Sequence, residues 1–101
     1  MQAKILMRWN IRNETEDSEY YEFLVHEFIP GMNNLGMAEI QVWATAFGEC
    51  EQKLVSGIAQ SADDMKLALL SDDWSVLRNK LENYVEAFSQ KVIPATNGFQ
   101  I

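Results

Sequence analysis

The chain has 101 residues, 48% hydrophobic and 23% charged, which excludes a disordered or collagen-like polymer; a domain of this size buries roughly 65% of its surface. A formal net charge of −7, with eight Lys and Arg and no cluster of them, argues against a nucleic-acid or anionic-membrane surface. One cysteine, Cys50, excludes an internal disulfide framework and a Cys-based zinc site, and no apolar run reaches the roughly 18 residues of a membrane span.

Met1 to Met7 carries one Lys and no long apolar stretch, so no signal peptide is expected and the cytoplasm is the expected compartment. Ile5, Met7, Trp9 and Ile11 alternate with Leu6, Arg8, Asn10 and Arg12, the period of a half-buried strand. Asn13 to Ser18 is polar, and Thr15 or Asp17 is placed to cap the first helix. Residues 18–29 read as that helix, with the apolar stripe Tyr21, Leu24, Val25, Phe28 and Met32; Pro30-Gly31 stops it or kinks its last turn. Residues 13–29 hold six acids and no Lys or Arg, the main source of the negative charge, and read as a solvated helix face.

Met37 to Phe47 reads as a second strand. Ala38, Ile40, Val42, Ala44 and Ala46 form an aliphatic face suited to packing under helices. Met37, Trp43 and Phe47 lie on the other face, among Glu39, Gln41 and Thr45. Gly48 to Gln52 has the length of a hairpin turn, and Lys53 to Ala59 forms a third strand. Ser61-Ala62-Asp63-Asp64 is a capping box that opens a short helix through Leu70. Ser71-Asp72-Asp73 starts a longer one, with the stripe Trp74, Leu77, Leu81, Tyr84 or Val85, Phe88 and Val92, ended by Pro94. Asn97 to Ile101 is expected to be a brief final strand.

The order β-α-β-β-α-β is that of the ferredoxin-like α+β fold: one antiparallel sheet, with its helices on one face, in a single domain over 1–101. The other face is left bare. Trp43 and Phe47 there form an apolar patch of the kind that marks an interface, and a second copy of the chain, paired sheet to sheet, is the economical cover.

With these elements the whole chain resembles the dimeric α+β barrel superfamily. The features that carry the likeness are ILMRWNI followed by SEYYEFLVHEFIPGM, the tandem helices of SADDMKLALLSDDWSVLRNKLENYVEAF, and the closing VIPATNGFQI. It looks most similar to small uncharacterised bacterial members. The resemblance implies a homodimer paired through its sheets and, in active members, a pocket between sheet and helices. The superfamily includes cofactor-free monooxygenases of polyketide tailoring, haem-degrading monooxygenases, stress-responsive barrels and muconolactone isomerases, so it fixes no reaction. Haem-degrading relatives ligate iron through a histidine of the second helix, and that segment has none here. Cofactor-free oxygenases hold aromatic substrates with Asn and Trp side chains near the first strand.

The residues offer little catalytic chemistry. His26 lies on the outer side of its helix, beside Glu22. Cys50 stands between Glu49 and Glu51, whose charges disfavour a thiolate. Asp63-Asp64 and Asp72-Asp73 read as capping and dipole residues, so no metal site and no cofactor is expected. There is no triad, nucleophile elbow, Walker loop or dinucleotide fingerprint, and no catalytic residue is assigned. Arg8, Asn10, Trp43 and Trp74 are the candidate ligand-binding residues; packing is the simpler role for the tryptophans. Arg8 and Asn10 need polar partners if their face is covered. The expected function is a non-catalytic dimeric module. The alternative is a cofactor-free monooxygenase or isomerase acting on a small aromatic or apolar molecule between sheet and helices.

Overall fold

The computed structural model describes residues 1–47 and 50–95, without the side chains of residues 46, 47, 50 and 51. The proposed Asn97–Ile101 strand and the side chains of Phe47 and Cys50 lie outside the described residues. Four antiparallel strands, β1 (Ala3–Ile11), β2 (Ala38–Phe47), β3 (Cys50–Ala59) and β4 (Val85–Pro94), form one sheet in the order β2-β3-β1-β4. Helical segments α1 (Asp17–Phe23), α2 (Ile29–Asn34), α3 (Ala62–Leu70) and α4 (Asp72–Leu81) complete the ferredoxin-like β-α-β-β-α-β arrangement. Among the described residues no helix is long and apolar enough to cross a membrane. The shortest extent of the molecule, 19 Å, is that of one helix layer on one sheet.

β1 is central and alternates as its sequence predicts: Ala3, Ile5, Met7 and Trp9 are buried under the helices. Trp9 is the hub of that core. Its ring stacks on Phe88 at 5.8 Å and meets Phe28 edge-on at 5.7 Å. Its N–H donates to the Tyr20 hydroxyl at 2.8 Å. Phe28 in turn packs 6.0 Å from Trp74, whose exposure is 3%.

The first helical stretch runs past Pro30 to Asn34. Pro30 has no N–H for the carbonyl of His26, so a regular α-helix cannot continue through it. The chain widens instead: Leu24–Phe28 is a π segment, in which the Ile29 N–H reaches the Leu24 carbonyl. This wide turn keeps a four-residue repeat in line, and Tyr20, Leu24, Phe28 and Met32 are all buried, with Phe23 beside them. Two members of the predicted stripe therefore fall outside: Tyr21 is 39% and Val25 55% exposed. The cap is also different, since Glu16 holds the N-cap position without a side-chain bond, in place of Thr15 or Asp17. Against α4, α2 comes close at Gly31, where a Cβ would lie 2.7 Å from Leu77 Cδ2.

The tandem helices start where the serines predict. Ser61 Oγ accepts the Asp64 N–H at 3.1 Å, and Ser71 Oγ accepts that of Trp74 at 3.2 Å. The second of them, α4, ends at Leu81, and residues 85–94 are strand β4, which corrects the long helix through Val92. The reason is a bulge. Ala87 has φ 57°, and between the pairs Arg8↔Ser89 and Asn10↔Glu86 both Ala87 and Phe88 face Trp9. The shift turns Val85, Phe88 and Val92 to the helix side of the strand, a spacing that imitates a helical stripe.

A second bulge corrects β2. Glu39 has φ 49°, and Glu39 and Ile40 together oppose Gly57. The face flips there, so Met37 is buried in the core, 2% exposed, and not on the bare face with Trp43. Of the expected Gly48–Gln52 turn, Gly48 and Glu49 lie outside the described residues, and residues 50–52 already belong to β3.

Candidate ligand site on the open sheet face

The side of the sheet away from the helices is built by alternation. Cross-strand partners share a face. Arg8 pairs with Leu54 and Leu54 with Trp43, while Leu6 pairs with Lys91 and Arg8 with Ser89. These side chains line a concavity of about 680 Å³ that spans all four strands. Its aliphatic floor is Leu6 and Leu54, its aromatic wall is Trp43, and its polar rim includes Lys4, Arg8 and Lys91. A smaller hollow of about 380 Å³ adjoins it beyond Lys4 and Gln41, toward the β2 bulge. Trp43 remains 38% exposed at the β2 edge. The Arg8 guanidinium is held by its Nε–H, which donates to Ser89 Oγ at 3.2 Å.

The structure thus brings together two of the four candidate residues, Arg8 and Trp43. Trp74 is elsewhere: it is buried on the opposite side of the sheet, beside Phe28. Asn10 is not part of the lining of the concavity. It sits beside the β4 bulge, and its buried Oδ1 has no hydrogen-bond partner among the described residues. Leu6 and Leu54 follow from strand alternation, but Lys91 lies in a segment whose apolar spacing predicts a helix and which is strand β4.

The interlayer volume between sheet and helices, where the resemblance expects a pocket, is occupied by Trp9, Tyr20, Phe28 and Trp74. The Tyr20 phenol there is pushed up to about 12, chiefly by burial and partly offset by the Trp9 N–H. It is a structural group that stays protonated at neutral pH and accepts the bond of the central indole. His26 is exposed, as its place on the helix predicts. Among the described residues, no three His, Cys, Asp or Glu side chains converge to hold a metal ion. The open face itself offers cations, an amide, hydroxyls and an indole: groups that bind and orient.

Comparison with known proteins establishes the fold. No family model matches the chain, and no curated protein matches it. Solved structures do. A variant of SnoaB, a cofactor-independent oxygenase from Streptomyces nogalater, superposes with a TM-score of 0.73 at 8% identity, over 96% of this chain and 95% of that one. A dimeric protein of unknown function and ferredoxin-like fold from Bacteroides fragilis gives 0.64 at 14% identity, over 91% and 94%. A NIPSNAP family protein from Agrobacterium tumefaciens gives 0.68 at 16% identity, over 96% and 95%. The chain has the ferredoxin-like α+β fold that these barrel proteins share.

Proposed function

We propose that the chain acts as a homodimer, two copies pairing through their open sheet faces to close an α+β barrel, and that its role is binding rather than catalysis. The observation that carries this reading is the bare face itself: Trp43, Leu6 and Leu54 form an aromatic and aliphatic surface on the side that no helix covers. Such a patch on a small domain marks an interface or a ligand site. The Bacteroides protein of the same fold is dimeric, which supports the pairing. Light scattering at micromolar concentration is the test. A particle of twice 11.6 kDa is expected, and one of 11.6 kDa overturns the reading.

The alternative, cofactor-free oxidation or isomerisation of a small aromatic or apolar molecule, takes its support from the likeness to SnoaB. Against it stand the four rings that occupy the interlayer volume and the lack of an acid–base pair among the described residues of the open face.

A further inference from the structure

The open-face concavity is basic in an acidic chain. The protein carries −7 overall, yet Arg8 and Lys91 both line this one hollow, and no Asp or Glu is among its described lining residues. Cations gathered around an apolar floor suit a particular kind of guest. Leu6, Leu54 and the Trp43 indole fit a flat, apolar body, and the rim fits a negative group attached to it. Arg8 is placed for such a contact, since its Nε–H bonds Ser89 Oγ and its remaining N–H groups stay on the exposed side of β1. The volume, about 680 Å³, lies within the range of small-molecule sites.

We infer that this concavity is a binding site for a small aromatic carboxylate, whose ring packs on Trp43 and Leu54 and whose carboxylate is held by Arg8 and Lys91. The inference rests on the proposed pairing for enclosure of the site. Pairing also sharpens the electrostatics. Two copies brought face to face place Arg8 and Lys91 of each in one partly desolvated space, where like charges are unfavourable without a counter-charge. An anionic guest supplies it, so ligand and dimer stabilise each other.

The test is calorimetric titration of the full chain with naphthoate and, in parallel, with naphthylmethanol, its uncharged counterpart. Naphthoate is expected to bind about tenfold or more tightly than the alcohol, with an affinity that falls as sodium chloride is raised. Arg8→Gln and Lys91→Gln are each expected to remove most of that preference. Equal affinities for the two probes, or a preference that survives both substitutions, would overturn the inference. Light scattering on the same samples reports the pairing separately. A dimer without charge preference overturns the ligand inference alone. A monomer overturns the pairing, and charge preference then still decides for or against the site.

Discussion

Arg8 and Trp43 flank the same residue: Leu54 of β3 is the cross-strand partner of Arg8 on one side and of Trp43 on the other. A cation, an aliphatic side chain and an indole therefore form one row across three strands on the uncovered side of the sheet. The row is a direct product of period-two alternation in β1 and β3 and of the register between them. Trp9, one residue beyond Arg8, points the other way and organises the core. Neighbouring residues of one strand thus serve the two different faces of the molecule.

Burial of the Tyr20 phenol makes stability depend on alkaline pH. Burial raises the Tyr20 phenol from 10.0 to about 12. Between those values the unfolded chain releases its proton and the folded chain keeps it, so this contribution is intact below about pH 10 and is lost as pH rises toward 12. The loss is on the order of 3 kcal/mol over the window. Tyr20→Phe should flatten that slope and, by leaving the buried Trp9 N–H unpaired, cost about 1–3 kcal/mol at neutral pH. Urea unfolding across the window checks both, and an unchanged slope in the variant would contradict the assignment.

Gly57 is a packing position. A Cβ there would lie 2.9 Å from Met32 Cε and 3.5 Å from Met37 Cβ, in a part of the core where both methionines are buried. Met32 can yield at its flexible end, so Gly57→Ala is expected to destabilise by about 1–2 kcal/mol rather than to prevent folding. Thermal unfolding measures it; a neutral or stabilising result would show that the core has slack.

Ala87 offers the opposite sign. Its φ of 57° is unfavourable for a residue with a Cβ, and the bulge needs it. Ala87→Gly is expected to stabilise the protein by up to about 1 kcal/mol, since glycine adopts this conformation without the steric cost. A destabilised variant in the same thermal assay would mean that the Ala87 methyl packs more than it strains.

Much of this architecture is legible in the residues. The alternation of Ile5, Met7 and Trp9 against Leu6 and Arg8 predicts both faces of β1, and Ser61 and Ser71 mark both helix starts. What escapes the pattern are the irregular positions. The bulge at Ala87 puts Val85, Phe88 and Val92 at helical spacing within a strand, which conceals β4 and with it Lys91. The bulge at Glu39 sends Met37 inward. The π segment before Pro30 selects Tyr20 and Phe23 over Tyr21 and Val25. Each extra residue shifts the side-chain period by one, and periodicity read at a constant phase cannot register that shift. The candidate site divides in the same way: Arg8 and Trp43 meet, whereas Trp74 closes the core.

Trp43 and Val42 separate the two faces of the sheet. They are neighbours on β2 with near-equal exposure, 38% and 39%, but they lie on opposite sides: Trp43 pairs with Leu54 on the open side, Val42 with the buried Val55 on the helix side. Light scattering of Trp43→Glu and Val42→Glu at micromolar concentration therefore probes the pairing itself. Pairing through the open face predicts an 11.6 kDa particle for Trp43→Glu and twice that mass for Val42→Glu. A Trp43→Glu protein that remains folded and dimeric, or a Val42→Glu protein that alone falls apart, would rule that pairing out.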